Sequence, residues 1–201
     1  MRQIRQYKRV LRLCLISSFW EYIESMIYVI GVDHFKEQMP HVMNDTGRVT
    51  HLQTFVRRFC PEKDIQLIAE EWCEDARIKL SIKNTYPEAL ASELKIKYCP
   101  CDPSIAAREA MGFKDRGQIA QEIGVPFPWT EDTAEERVNA EKINAAARKF
   151  DEQREEYWLG EIIKNHGTNK NTLLICGYGH ADSFVEVAKR KGYEAVRVPI
   201  Q

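Results

Sequence analysis

The residues best suited to chemistry are two histidines that follow short apolar runs at the same offset from a glycine, in Gly31-Val32-Asp33-His34 and Gly177-Tyr178-Gly179-His180. A third apolar run, Asp64 to Ala69, ends in Glu70-Glu71. Imidazole and carboxylate are ligands for zinc and for divalent manganese, iron and cobalt, and two histidines with one glutamate leave coordination positions open for water. Water on such an ion loses its proton more readily, and the ion also polarises a carbonyl. Hydrolysis of an amide or ester bond is the chemistry that follows. His34, His180 and Glu71 are the candidate metal ligands, Glu71 or Glu70 the candidate general base, and Arg154 the candidate stabiliser of a developing oxyanion. Adjacent glutamates on a strand point to opposite faces, so one of the two serves; Glu71 is preferred and Glu70 retained. In a metal-free version, one histidine takes the proton from water while a glutamate orients it. Gly31, Gly177 and Gly179, with Tyr178, are the candidate substrate-binding positions, because glycines let a substrate approach the backbone closely.

Positioning these groups requires strands that end at one edge. Continuous apolar runs followed by turn signals read as strands buried on both faces, and ligand sites of parallel sheets gather beyond the carboxyl ends of the strands. Strands are predicted at 27–31, 64–69, 95–99, 172–176 and 195–198. Leu52, Phe55, Val56 and Phe59 recur at helical spacing over Thr50 to Cys60, and Pro61 is expected to stop that helix. Residues 74–90 read as one helix, and Asp102 as a cap for the next, which carries Arg108 and ends near Gly112. Residues 116–129, with Gly117, Gly124, Pro126 and Pro128, read as mostly irregular, with one helical turn around Ile119. Thr133 followed by Glu136 is a capping box that opens the longest helix, running to about Asn165 with Gly167 as its stop. Its stripe of Val138, Ile143, Phe150, Tyr157, Trp158, Ile162 and Ile163 reads as core. A helix over 182–190 with Gly192 at its C-terminal cap precedes the last strand. Strand, helix and strand in alternation predict a single α/β domain, a mainly parallel central sheet flanked by helices.

Bulk properties agree with that class. A chain of 201 residues suits one sizeable α/β domain, and a formal net charge of −1 gives no sign of a nucleic-acid partner. A small-molecule or peptide substrate is the expected partner. The first dozen residues carry Arg2, Arg5, Lys8, Arg9 and Arg12 ahead of the apolar piece 13–20. Residues 1–26 form a basic and apolar extension, read as helical over 3–25, in front of the domain at 27–201. The run is short, broken by serines and without a cleavage site, so neither secretion nor a transmembrane segment is expected. Met26 is an alternative natural start. The segment from His34 to Gly47 reads as a loop or lid over the sheet edge. Of six cysteines, Cys14, Cys60, Cys73 and Cys176 are scattered through predicted helices and strands and read as reduced cytoplasmic thiols, and the close pair Cys99-Pro100-Cys101 lacks the second pair that a zinc site wants.

The paired Gly-x-x-His motifs, the strand-terminal Glu70-Glu71, and Arg154 within Arg-Glu-Glu-Tyr-Trp ahead of the last strands resemble a known superfamily. It includes TraB/PrgY pheromone-shutdown proteins, Tiki proteases, ChaN-like haem-binding proteins and erythromycin esterases. The similarity runs in motif order from about Ile27 to Val198 and is strongest from Arg154 onward. The resemblance implies an α/β core, with His34, Glu71, Arg154 and His180 as functional positions. It also implies metal-dependent peptidase or histidine-based esterase activity, or, as on the ChaN-like branch, haem binding, for which Tyr178 joins the histidines as a candidate iron ligand.

Overall fold

Five short apolar runs, β1 (Met26–Val32), β2 (Ile65–Glu70), β3 (Lys97–Pro100), β4 (Asn171–Gly177) and β5 (Glu194–Arg197), pair in the order β3-β2-β4-β1-β5. All of these pairings are parallel. They belong to a computed structural model that describes residues 25–33, 46–127, 133–166 and 170–200. The helices between them are α1 (Thr46–Glu62), α2 (Glu74–Lys79), α3 (Tyr86–Leu94), α4 (Ile105–Ala110), α5 (Arg116–Ile123), α6 (Ala134–His166) and α7 (Ala181–Arg190). The chain is therefore the α/β domain with a parallel sheet that the alternation of patterns predicts.

The period of two along each strand divides the core between two faces. On β4, Leu173 and Ile175 pack with Leu52, Phe55 and Phe59 of α1 and Leu90 of α3. Leu174 and Cys176 pack on the other side with Trp158 and Ile162 of α6 and Phe184 of α7. Connections from β1 and β2 run towards the β3 edge, whereas those from β3 and β4 run back across the sheet. A single crossover hand puts these two sets on opposite faces. β4 thus sends its chain to one face while its neighbours β1 and β2 send theirs to the other. A crevice opens at such a switch point beyond the carboxyl ends of the strands.

The long helix has two supports. Ile143, Ala147 and Phe150 pack against Ile119 and Ala120 of α5, and Trp158, Leu159 and Ile162 lie on the sheet. Val138 stays half exposed and is not part of the core stripe. The Thr133 and Glu136 capping box forms, with the Glu136 amide donating to Thr133 Oγ1 at 3.2 Å and the Thr133 amide to Glu136 Oε2 at 3.1 Å.

Several boundaries differ from the sequence expectation. Residues 74–90 form two helices, because Thr85 accepts a hydrogen bond from the Glu88 amide and starts α3 afresh with Pro87 in its first turn. The stretch expected to be irregular contains α5, opened by a capping box between Asp115 and Gln118 and closed by Gly124 at φ +69°. Pro61 lies within the last turn of α1 instead of after it. Asp102 does not cap α4; Ser104 does, accepting from the Ala107 amide at 3.1 Å. The expected helix at 3–25, most of the lid after His34 and the stop at Gly167 lie outside the described residues.

Candidate functional site

The end of β2 separates the two glutamates. Glu70 is fully buried, and its Oε2 accepts hydrogen bonds from Thr85 Oγ1 at 2.5 Å and Tyr98 Oη at 2.6 Å. Burial, reinforced by the Glu70 charge, pushes the Tyr98 phenol well above its ordinary range. This carboxylate ties β2 to β3 and to the start of α3. Glu71 turns to the opposite face. Its amide donates to the Ile175 carbonyl at 2.9 Å, which extends the pairing with β4 by one residue. Its Oε1 accepts from Arg154 Nη2 at 2.8 Å and its Oε2 from the Gly177 amide at 2.7 Å.

Arg154 and Trp158 are one helical turn apart on α6, so both reach the same spot. Asp102, just beyond β3, meets them there. Its Oδ1 accepts from Arg154 Nε at 3.1 Å, Arg154 Nη2 at 2.8 Å and Trp158 Nε1 at 2.9 Å, while its Oδ2 pairs with Arg108. Arg154 is 8% exposed. Burial alone lowers its pKa, and the combined charges and hydrogen bonds of Asp102 and Glu71 outweigh that and hold it above the ordinary value. The guanidinium is thus a fixed cation between two buried carboxylates.

After β4 the chain makes a 3-10 turn, Tyr178–His180, and enters α7 at Ala181. Gly31 of β1 makes room for this turn. A Cβ there would stand 3.0 Å from Tyr178 Cα and 3.1 Å from Ala181 Cβ, so Gly31 is a packing glycine beneath the turn. His180 packs edge-on against Trp158, with ring centroids 5.2 Å apart. Its Nδ1 lies 2.9 Å from Glu155 Oε1, an oxygen that also accepts from Ser183 Oγ. A carboxylate at Nδ1 favours a proton there, so in a neutral imidazole the lone pair is carried by Nε2. That Nε2 faces Glu71 Oε1 at 3.9 Å. Glu155 is 1% exposed, and its Oε2 has no hydrogen-bond partner among the described residues.

No protein-family model, curated protein or solved structure gives a significant match to the chain. The site therefore stands on its own geometry. Of the positions picked from sequence, Glu71, Arg154, Gly177 and His180 come together, Glu70 faces away, and His34 lies outside the described residues. Gly179 has open space around its Cα, and Tyr178 is 68% exposed. Sequence reasoning missed Asp102, Glu155, Trp158 and Ser183 as members of this network. The available signals were the place of Asp102 just after a strand and that of Glu155 beside Arg154. Successive helical residues point about 100° apart, so Arg154 reaches Glu71 while Glu155 reaches His180.

Among the described residues, no three His, Cys, Asp or Glu side chains converge in the manner of a metal group. His180 Nε2 and Glu71 Oε1 supply two donors of the right chemistry. Cys99 and Cys101 are core residues: Cys101 Sγ lies 3.1 Å from the Glu70 carbonyl, and burial pushes its thiol far up.

Proposed function

We propose that this chain hydrolyses an amide or ester bond at the carboxyl edge of the sheet, with His180 as the group that activates water. The observation that supports this is the orientation of the imidazole: Glu155 occupies Nδ1, and Nε2 is turned towards Glu71. Such a histidine can take a proton from water or donate its lone pair to a divalent Mn, Fe, Co or Zn ion. His180 and Glu71 fit such an ion by donor type, and His34 is the proposed third ligand. When bound, the ion would lower the pKa of water and polarise the substrate carbonyl. The chain's own groups have separate roles. Glu155 and Ser183 orient the imidazole, Arg154 and the Gly177 amide hold Glu71 in register with it, and Trp158 closes one side against water.

Purified protein, prepared without a histidine tag, is assayed on 4-nitrophenyl acetate and on fluorogenic peptides, beside His180→Ala and Glu71→Gln. Metal content is measured on the same samples. Hydrolysis is expected in the wild type, falling by about 10²- to 10⁴-fold in His180→Ala, with loss of any bound ion in both variants. Activity that survives complete metal depletion would assign the role to His180 and Glu155 alone. A wild type loaded with each ion that cleaves neither substrate class, or a His180→Ala variant as active as wild type, would overturn the proposal. An intense visible band on the purified protein would support haem binding instead.

A further inference from the structure

A groove of about 510 Å³ lies on the outer side of α6, between that helix and the link from α7 to β5. Gly160 lies in it. Trp158 packs on the sheet, and two residues turn a helix by about 200°, so Gly160 points to the opposite side and is exposed. A Cβ on Gly160 would meet nothing within 4 Å among the described residues. No internal contact there explains the glycine, which weakens a helix interior relative to alanine. What it offers instead is room for another backbone to come close. Beside it, Ile163 and Tyr193 line the groove and are only partly buried.

The charges around Gly160 indicate which backbone that is. Glu156 and Lys164 line the same groove, four residues before and four residues after the glycine. They therefore stand about 40° to either side of it and about 6 Å down and up the helix axis. Two copies of α6 that cross antiparallel at Gly160 bring Glu156 of each level with Lys164 of the other. A parallel crossing would set like charges level with each other instead. Both residues have internal partners: Lys191 Nζ lies 2.8 Å from Glu156 Oε1, and Lys164 Nζ lies 3.1 Å from Glu161 Oε1. Neither partner has to be given up, because a carboxylate accepts from more than one donor and an ammonium donates three hydrogen bonds. The contact joins the two pairs into an alternating chain of Lys191, Glu156, Lys164 and Glu161 across two molecules. Exposed charges contribute more in such a network than as isolated pairs.

We propose that this groove is the interface with a second copy of the chain, a two-fold contact in which α6 crosses α6 antiparallel at Gly160. Each surface is its own complement, as a two-fold interface requires. The contact faces away from Trp158 and His180 and does not rest on the hydrolase reading.

The test is sedimentation equilibrium of the full chain from about 1 μM to about 500 μM, a range that reaches the affinities of small interfaces. A concentration-dependent dimer is expected. Gly160→Leu should weaken association by about tenfold or more, while its circular dichroism and thermal melt at low concentration match wild type, since the added side chain has open space within the chain. Glu156→Lys and Lys164→Glu should each weaken association, because each sets like charges level in both halves of the contact. An equimolar mixture of these two variants should associate again, with the introduced lysine facing the introduced glutamate and the native lysine facing the native glutamate. A chain that stays monomeric throughout the range, a folded Gly160→Leu variant that dimerises as wild type does, or charge variants that fail to rescue each other would each overturn the interface.

Discussion

Arg154 shows how much of this site depends on single charges. Its guanidinium bridges Asp102 and Glu71, and both carboxylates are buried. A buried pair gains little over apolar packing, but removing one partner strands the other. Arg154→Ala is therefore expected to lower stability by about 3–5 kcal/mol, read as a fall in the urea midpoint at unchanged slope. Arg154→Lys keeps the charge without the fork that reaches both carboxylates, and should fall between the two. A loss below about 1 kcal/mol for Arg154→Ala would mean that water already shields the two acids. Asp102 illustrates why residue type alone misleads. Asp102-Pro103-Ser104 contains two side chains able to cap a helix, and only the folded chain shows that Ser104 caps while Asp102 gathers Arg154, Arg108 and Trp158.

At the scale of elements, the placement of His180 depends on how closely the turn after β4 approaches β1. Gly31→Ala would bring a Cβ to 3.0 Å from the Tyr178 backbone, and backbone yields less readily than a flexible side chain. The expected cost is about 1–3 kcal/mol, with the proposed hydrolysis reduced because the turn carries His180 away from Glu71. Gly179→Ala on the same turn meets nothing within 4 Å and should stay within about 0.5 kcal/mol of wild type. Thermal melts and assays of the pair separate close approach from loss of a glycine as such. The helices missed or merged in the sequence had readable signals. Asp115 with Gln118 and Thr85 with Pro87 are helix starts, but nearby glycines and prolines obscured the first, and a continuous helical pattern obscured the second.

Across the whole molecule, the five described cysteines are buried and unpaired. Burial raises the Cys60 thiol to about 12 and the Cys99 thiol to about 11. A raised thiol pKa means that the native state favours the protonated form. Its contribution is fully present below the ordinary thiol pKa of about 8.5 and is lost as pH rises through the folded values. The denaturation midpoint should accordingly fall between about pH 9 and 12, less steeply in Cys60→Ala. At pH 8 a thiol reagent followed by mass spectrometry should leave these five cysteines unlabelled until the protein is unfolded. Rapid labelling of Cys101 or Cys176 in the native protein would show that the face beneath the site opens. No helix among the described residues is long and apolar enough to cross a membrane.

The sequence by itself determined the α/β class, the strands and the edge at which the chemistry-bearing residues emerge, because apolar runs, caps and turn residues act over a few neighbours. It also determined that Glu70 and Glu71 diverge, since a strand has a period of two. Only the tertiary structure decided which glutamate faces His180. That depends on β2 lying next to β4, and on α6 and α7 sharing the face opposite α1 and α3. It likewise decided that Glu155 holds the imidazole and that Asp102 holds Arg154, contacts 25 and 52 residues apart along the chain. Such pairs leave no local pattern, because the backbone crossings that create them are set by the packing of the whole sheet.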